Sequence, residues 1–103
     1  MTVINPARGE AALRVNGCVL ALRPSFEALV AAEGELGPLF ALVERAAEGR
    51  LSLGETVGLF WWCLAERPDG MTREAFGDGV VALGLAGCAP ALGALLRQIL
   101  AGR

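Results

Sequence analysis

From position 10 the chain alternates polar and apolar residues through EAALRV, stops at Asn16-Gly17, and alternates again through CVLALR. A period of two around Asn-Gly predicts a β-hairpin, because a two-residue type I′ turn needs positive φ at both central residues. That turn length sets the register. Val15 faces Cys18, Leu13 faces Leu20 and Ala11 faces Leu22 on one apolar side, while Arg14 with Val19 and Glu10 with Arg23 lie on the other. A lone hairpin is marginal in water, so the apolar side needs a surface from the rest of the chain.

After Pro24 the period lengthens to that of a helix. Ser25 is placed to cap a first helix with Phe26, Leu29 and Val30 at helical spacing, ended by Gly34 and Gly37. Pro38 starts a second, with Leu39, Leu42, Val43 and Ala46 on one side and a stop near Gly49. Ser52 and Glu55 form a capping box for a third, whose stripe is Val57, Phe60, Trp61 and Leu64. Pro68-Asp69-Gly70 closes it, and Thr72 caps a fourth with Phe76, Val80 and Leu83 inward. Gly87 and Pro90 together read as a break, after which Pro90 opens a fifth helix carrying Leu92, Leu95, Leu96, Ile99 and Leu100. Short connections imply neighbours packed side by side. The expected fold is α+β, mostly α: an N-terminal β-hairpin packed on a small bundle of about five short helices. It forms a single domain over residues 1–103, with residues 1–9 as a flexible arm.

Composition adds a surplus of apolar residues. The chain is 54% hydrophobic and 19% charged, which argues for a packed core and for further apolar surface that a partner covers. A net charge of −2 and nine scattered arginines give no footprint for nucleic acid. Cys18, Cys63 and Cys88 are odd in number and flanked by apolar residues, as expected of small buried hydrophobes in a reducing compartment. The N-terminal segment has no basic region followed by an apolar one, so the expected location is the cytoplasm. Gly79 to Leu96 is free of charge, yet four glycines and Pro90 interrupt it, which argues against a membrane span.

Candidate chemistry is sparse. The chain has no His, Lys or Tyr, which removes the commonest general base and metal ligand. Ser25 and Ser52 are accounted for as helix caps, and Cys63 within FWWCLA is expected to be inert because an apolar setting raises its pKa. Glu33 with Glu35 and Glu44 with Glu48 lie on polar helix sides, where solvation or helical pairing explains them. No glycine run has phosphate-binding spacing and no Cys, Asp or Glu cluster has metal spacing, so no catalytic residue, cofactor or metal is expected. The candidate partner-binding residues are Phe60, Trp61 and Trp62. Adjacent helical residues point about 100° apart and cannot share one narrow stripe. Either the three aromatics surround a buried central helix, or one Trp helps form an apolar docking surface.

The RGE start of the hairpin, the RPSFEAL junction at Arg23 to Leu29 and the LSLGE segment at Leu51 to Glu55 occur here in order. In that order and spacing the chain resembles the gene transfer agent and phage tail assembly chaperone family, also labelled a tail tube family, over about residues 8 to 100. The resemblance implies a non-enzymatic protein that keeps the tape measure protein soluble while the tail polymerises around it. It also implies self-association, for which a hairpin edge strand is suited. The alternative is a structural tail component, a tube or tail-terminator subunit retained in the particle.

Overall fold

The computed structural model describes residues 11–102. The expected arm at residues 1–9 and the Glu10 half of its pair lie outside them. Strands β1 (Ala11–Val15) and β2 (Cys18–Leu22) form the antiparallel hairpin, paired Ala11 to Leu22, Leu13 to Leu20 and Val15 to Cys18. The turn has φ of 53° at Asn16 and 78° at Gly17, the two positive values a type I′ turn requires. Ala11, Leu13, Val15, Leu20 and Leu22 are buried as the register demands.

Cys18 is a correction: it is the first residue after the turn, paired with Val15, and is exposed. Ala21, on the far side, is buried. The chain leaving the third helix runs along the outer edge of β2 there. Arg23 N–H donates to the Cys63 carbonyl at 2.6 Å, and Ala65 N–H donates to the Ala21 carbonyl at 2.9 Å. These bonds pair Leu64 with Leu22 and cover one end of an otherwise open sheet edge.

Five helices follow: α1 (Phe26–Leu36), α2 (Leu39–Ala47), α3 (Leu53–Cys63), α4 (Arg73–Leu83) and α5 (Leu85–Ala101). Ser25 accepts from Ala28 N–H, and Thr72 accepts from Ala75 N–H. Ser52 and Glu55 close a full capping box at 3.1 and 3.0 Å. Pro38 has no side chain to cap α2. Glu33 supplies the cap instead, its carboxylate accepting from Leu39 N–H at 3.0 Å.

The core joins all seven elements. Leu13 and Leu22 of the hairpin meet Leu42, Leu59, Phe60, Phe76, Val80 and Leu95, all fully buried or nearly so. Helix α3 is central, buried continuously from Thr56 to Phe60 and packed against α1 and α4. Strand β1 packs on α4 and α5.

Two sequence expectations change. The inward side of α1 is Ala28, Leu29, Ala32 and Leu36, whereas Phe26 and Val30 point to solvent. Small residues permit the close approach: Ala32 is fully buried, and a Cβ on Gly58 of α3 would sit 3.3 Å from Leu36 Cδ2. The second change is the start of α5. The break falls at Gly84, with φ of 89°, and the helix runs through Pro90. The buried stripe Cys88, Ala91 and Leu95 spans Pro90, which itself faces outward, so packing outweighs the one lost hydrogen bond. Helices α4 and α5 meet at 111°, and among the described residues no single helix is long and apolar enough to cross a membrane.

Candidate functional site

The three aromatics singled out in the sequence separate. Phe60 is fully buried in the core, so it has no surface for a partner, which corrects its place in the candidate set. Trp61 and Trp62 are each half-buried. Trp61 leans on Phe76 with ring centroids 5.8 Å apart and planes at 48°, a tilted aromatic contact that ties α3 to α4. Trp62 turns the other way, and its indole Nε1–H donates to Glu35 Oε1 of α1 at 2.9 Å.

Arg67, just past the end of α3, joins the pair. Its guanidinium carbon lies 4.4 Å from the Trp61 ring centroid and 5.7 Å from that of Trp62, and it donates to the Trp61 carbonyl at 3.3 Å. A cation over indole faces is electrostatically favourable and holds both rings in place. Beside them runs an open groove of about 530 Å³, lined by Ala28, Ala31, Trp62, Leu64 and Ala65 with Arg23, Ser25, Glu27 and Arg67 around them. Its lining mixes small apolar side chains with charged and polar ones.

Glu35 is the electrostatic centre of this side of the molecule. Arg73 of α4 grips both carboxylate oxygens and Trp62 adds a third donor. The Arg73 bonds, aided by Trp62, hold the Glu35 carboxyl down at about 2. Its partner Arg73 is raised by the same bonds. The node joins α1, α3 and α4, and Gly58 gives it room: a Cβ there would meet Arg73 at 2.9 Å and Glu35 at 3.2 Å. Glu35 and Arg73 leave no local spacing in the sequence because their contact spans 38 residues, whereas Arg67 lies just past the helix that carries the two indoles it covers.

The remaining titratable groups have structural tasks. Glu55 is lowered by the Ser52 backbone N–H and then by Arg45, as a capping residue should be. Burial pushes the Cys63 thiol up to about 12, so it is not a nucleophile at neutral pH. Among the described residues no three His, Cys, Asp or Glu side chains stand close enough to share a metal ion. The arrangement offers apolar contact, indole faces and guanidinium groups.

The described residues form a small helical fold with a hairpin, and the candidate site offers contact surface. Over residues 8–102 the chain matches the family described as phage tail tube protein, GTA-gp10, and it is a member of that family. This agrees with the resemblance carried by the hairpin and the LSLGE segment. The family is a phage tail protein family and not a known enzyme family. No curated protein and no solved structure matches the chain.

Proposed function

We propose that this protein is a non-enzymatic tail assembly chaperone, acting in the cytoplasm of a bacterial host, that binds the tape measure protein during tail assembly of a gene transfer agent or prophage. The observation that carries the reading is the apolar surface left after the core is complete. Phe26 and Phe40 are almost wholly exposed, Leu85 and Leu100 are exposed, and Trp62 borders an open groove. A long helical partner with repeated apolar stripes needs such cover to stay soluble. Self-association belongs to the same reading, with the exposed Ala12 and Arg14 on β1, which among the described residues pairs with β2 alone.

Co-expression with the product of the neighbouring long coiled-coil gene tests the reading. A soluble complex that survives size exclusion supports it, and a product that stays insoluble with no complex refutes it. A second reading, a tube or tail-terminator subunit, draws on the family's description as a tail tube protein. Mass spectrometry of purified particles separates the two, since a chaperone is absent from the finished tail and a subunit is present in many copies.

A further inference from the structure

Phe26 is 86% exposed, Phe40 84% and Val30 50%. Two phenylalanines so open to water are unusual, since large apolar side chains on a monomer surface are normally scattered and partly covered. Phe26, Val30 and Glu33 stand at i, i+4 and i+7 on one stripe of α1. The Glu33 carboxylate reaches Leu39 N–H, which ties the end of this stripe to the first turn of α2, and the exposed Phe40 is the next residue there. Together Phe26, Val30 and Phe40 offer roughly 400 Å² of exposed surface, about half of one side of a standard interface.

Charge around the strip decides what fits it. Residues 26–48 contain Glu27, Glu33, Glu35, Glu44 and Glu48 against Arg45 alone, in a chain whose net charge is only −2, although Arg23 and Arg67 stand with Glu27 around the groove beside Trp62. Arg45 is committed to Glu55 on α3 and so does not offset this face. Arg73 neutralises Glu35, and Arg50 lies 3.6 Å from Glu48 at the far end. Glu27 and Glu44 have no ion pair among the described residues.

We propose that the α1–α2 face is a docking surface for a basic amphipathic helix of a partner protein, whose apolar row packs on Phe26, Val30 and Phe40 while flanking Lys or Arg meet Glu27 and Glu44. The proposal rests on the reading of this chain as a binding protein and names the surface and the chemistry of its partner. A second copy docking by the same face would place glutamates against glutamates, and an anionic lipid surface would be repelled for the same reason. A helical ligand suits the strip because its i, i+3, i+4 row of side chains interdigitates with a row of the same spacing.

The test uses the full chain and two labelled 18-residue helical probes, one of Leu and Lys and one of Leu and Glu, followed by fluorescence anisotropy. The wild type is expected to bind the Lys probe in preference to the Glu probe. Phe26→Ser with Phe40→Ser should weaken that binding about tenfold or more with an unchanged circular dichroism spectrum. Glu27→Gln with Glu44→Gln should weaken it about threefold and flatten its salt dependence. Equal binding by the wild type and the Phe variant, or preference for the Glu probe, overturns the proposal. So does a concentration-dependent dimer that the Phe variant abolishes, because the occupant is then a second copy. In the co-expression assay, a Phe variant that still co-purifies with the tail partner refutes this surface and leaves the chaperone reading standing. Wild-type protein that binds the Lys probe through the two phenylalanines but never the tail partner does the reverse.

Discussion

Replacing Glu35 by Gln removes one negative charge from a node that three helices share, and its cost follows from the geometry. A carboxyl held at about 2 in place of the usual 4.5 corresponds to roughly 3 kcal/mol, at about 1.4 kcal/mol per pH unit. The Glu35 side chain is 35% exposed, so solvent screening reduces this to about 1–2 kcal/mol. A Gln carbonyl oxygen still accepts from either Arg73 or Trp62, which keeps the expected loss at neutral pH at that lower range. In a domain of this size the loss lowers the melting temperature by about 4–12 °C. The pH dependence has a definite sign. Because the folded carboxyl titrates below the unfolded one, the unfolded chain binds more protons between about 4.5 and about 2, and the stabilisation is lost as pH falls through that window. Urea unfolding of wild type and Glu35→Gln at several pH values should show a full gap above pH 5 that closes toward pH 2. A gap that stays constant down to pH 2, or none at pH 7, refutes the charge-based account of the node.

Two glycines on α4 give opposite expectations: a Cβ on Gly79 would run into the Val15 and Asn16 side chains of the hairpin, whereas one on Gly77 meets Val57 at an ordinary 3.7 Å. Gly79→Ala should therefore cost about 1–3 kcal/mol while Gly77→Ala gains up to about 1 kcal/mol, both read from urea midpoints. Ser52→Ala removes the capping box of α3 and should cost about 1 kcal/mol by the same measurement, an unchanged midpoint being the contrary result. A thiol reagent should modify Cys18 promptly in the folded protein and spare Cys63 and Cys88 until it unfolds. Rapid labelling of more than one thiol per chain would contradict the burial of the other two. Trp62→Phe keeps most of the ring and loses the bond to Glu35, so under the proposed function it should reduce co-purification of the tail partner less than Trp62→Ala does.

The parts of the fold that were readable in the sequence are those whose cause is local. Asn16-Gly17 dictates its turn, and through the turn a register of five pairs. Ser25, Ser52 and Thr72 each mark a helix start because the cap is a bond to a backbone three residues on. What escaped was decided at longer range. Pro90 looked like a helix start, yet the stripe of Cys88, Ala91 and Leu95 buries itself through it and moves the boundary to Gly84. Phe26 and Val30 have the spacing of an inward face, but the small Ala28 and Ala32 win that position because α3 approaches closely there. The site was legible only as a cluster of aromatics. Nothing within a few residues of Trp62 announces that Glu35 and Arg73 will flank it, or that Phe60 points the opposite way.

The packing of β1 against α4 and α5 has a consequence for the order of events on the ribosome. Within this domain the first strand rests on the last helix as well as on α4, so Leu13 and Val15 are not fully covered until the segment from Leu85 to Ala101 has emerged. The hairpin turn forms early, but the domain closes only when translation of this segment is nearly finished. Ribosome-stalled chains ending before Leu85 should accordingly be digested by protease throughout the hairpin, and chains extended past Ala101 should resist.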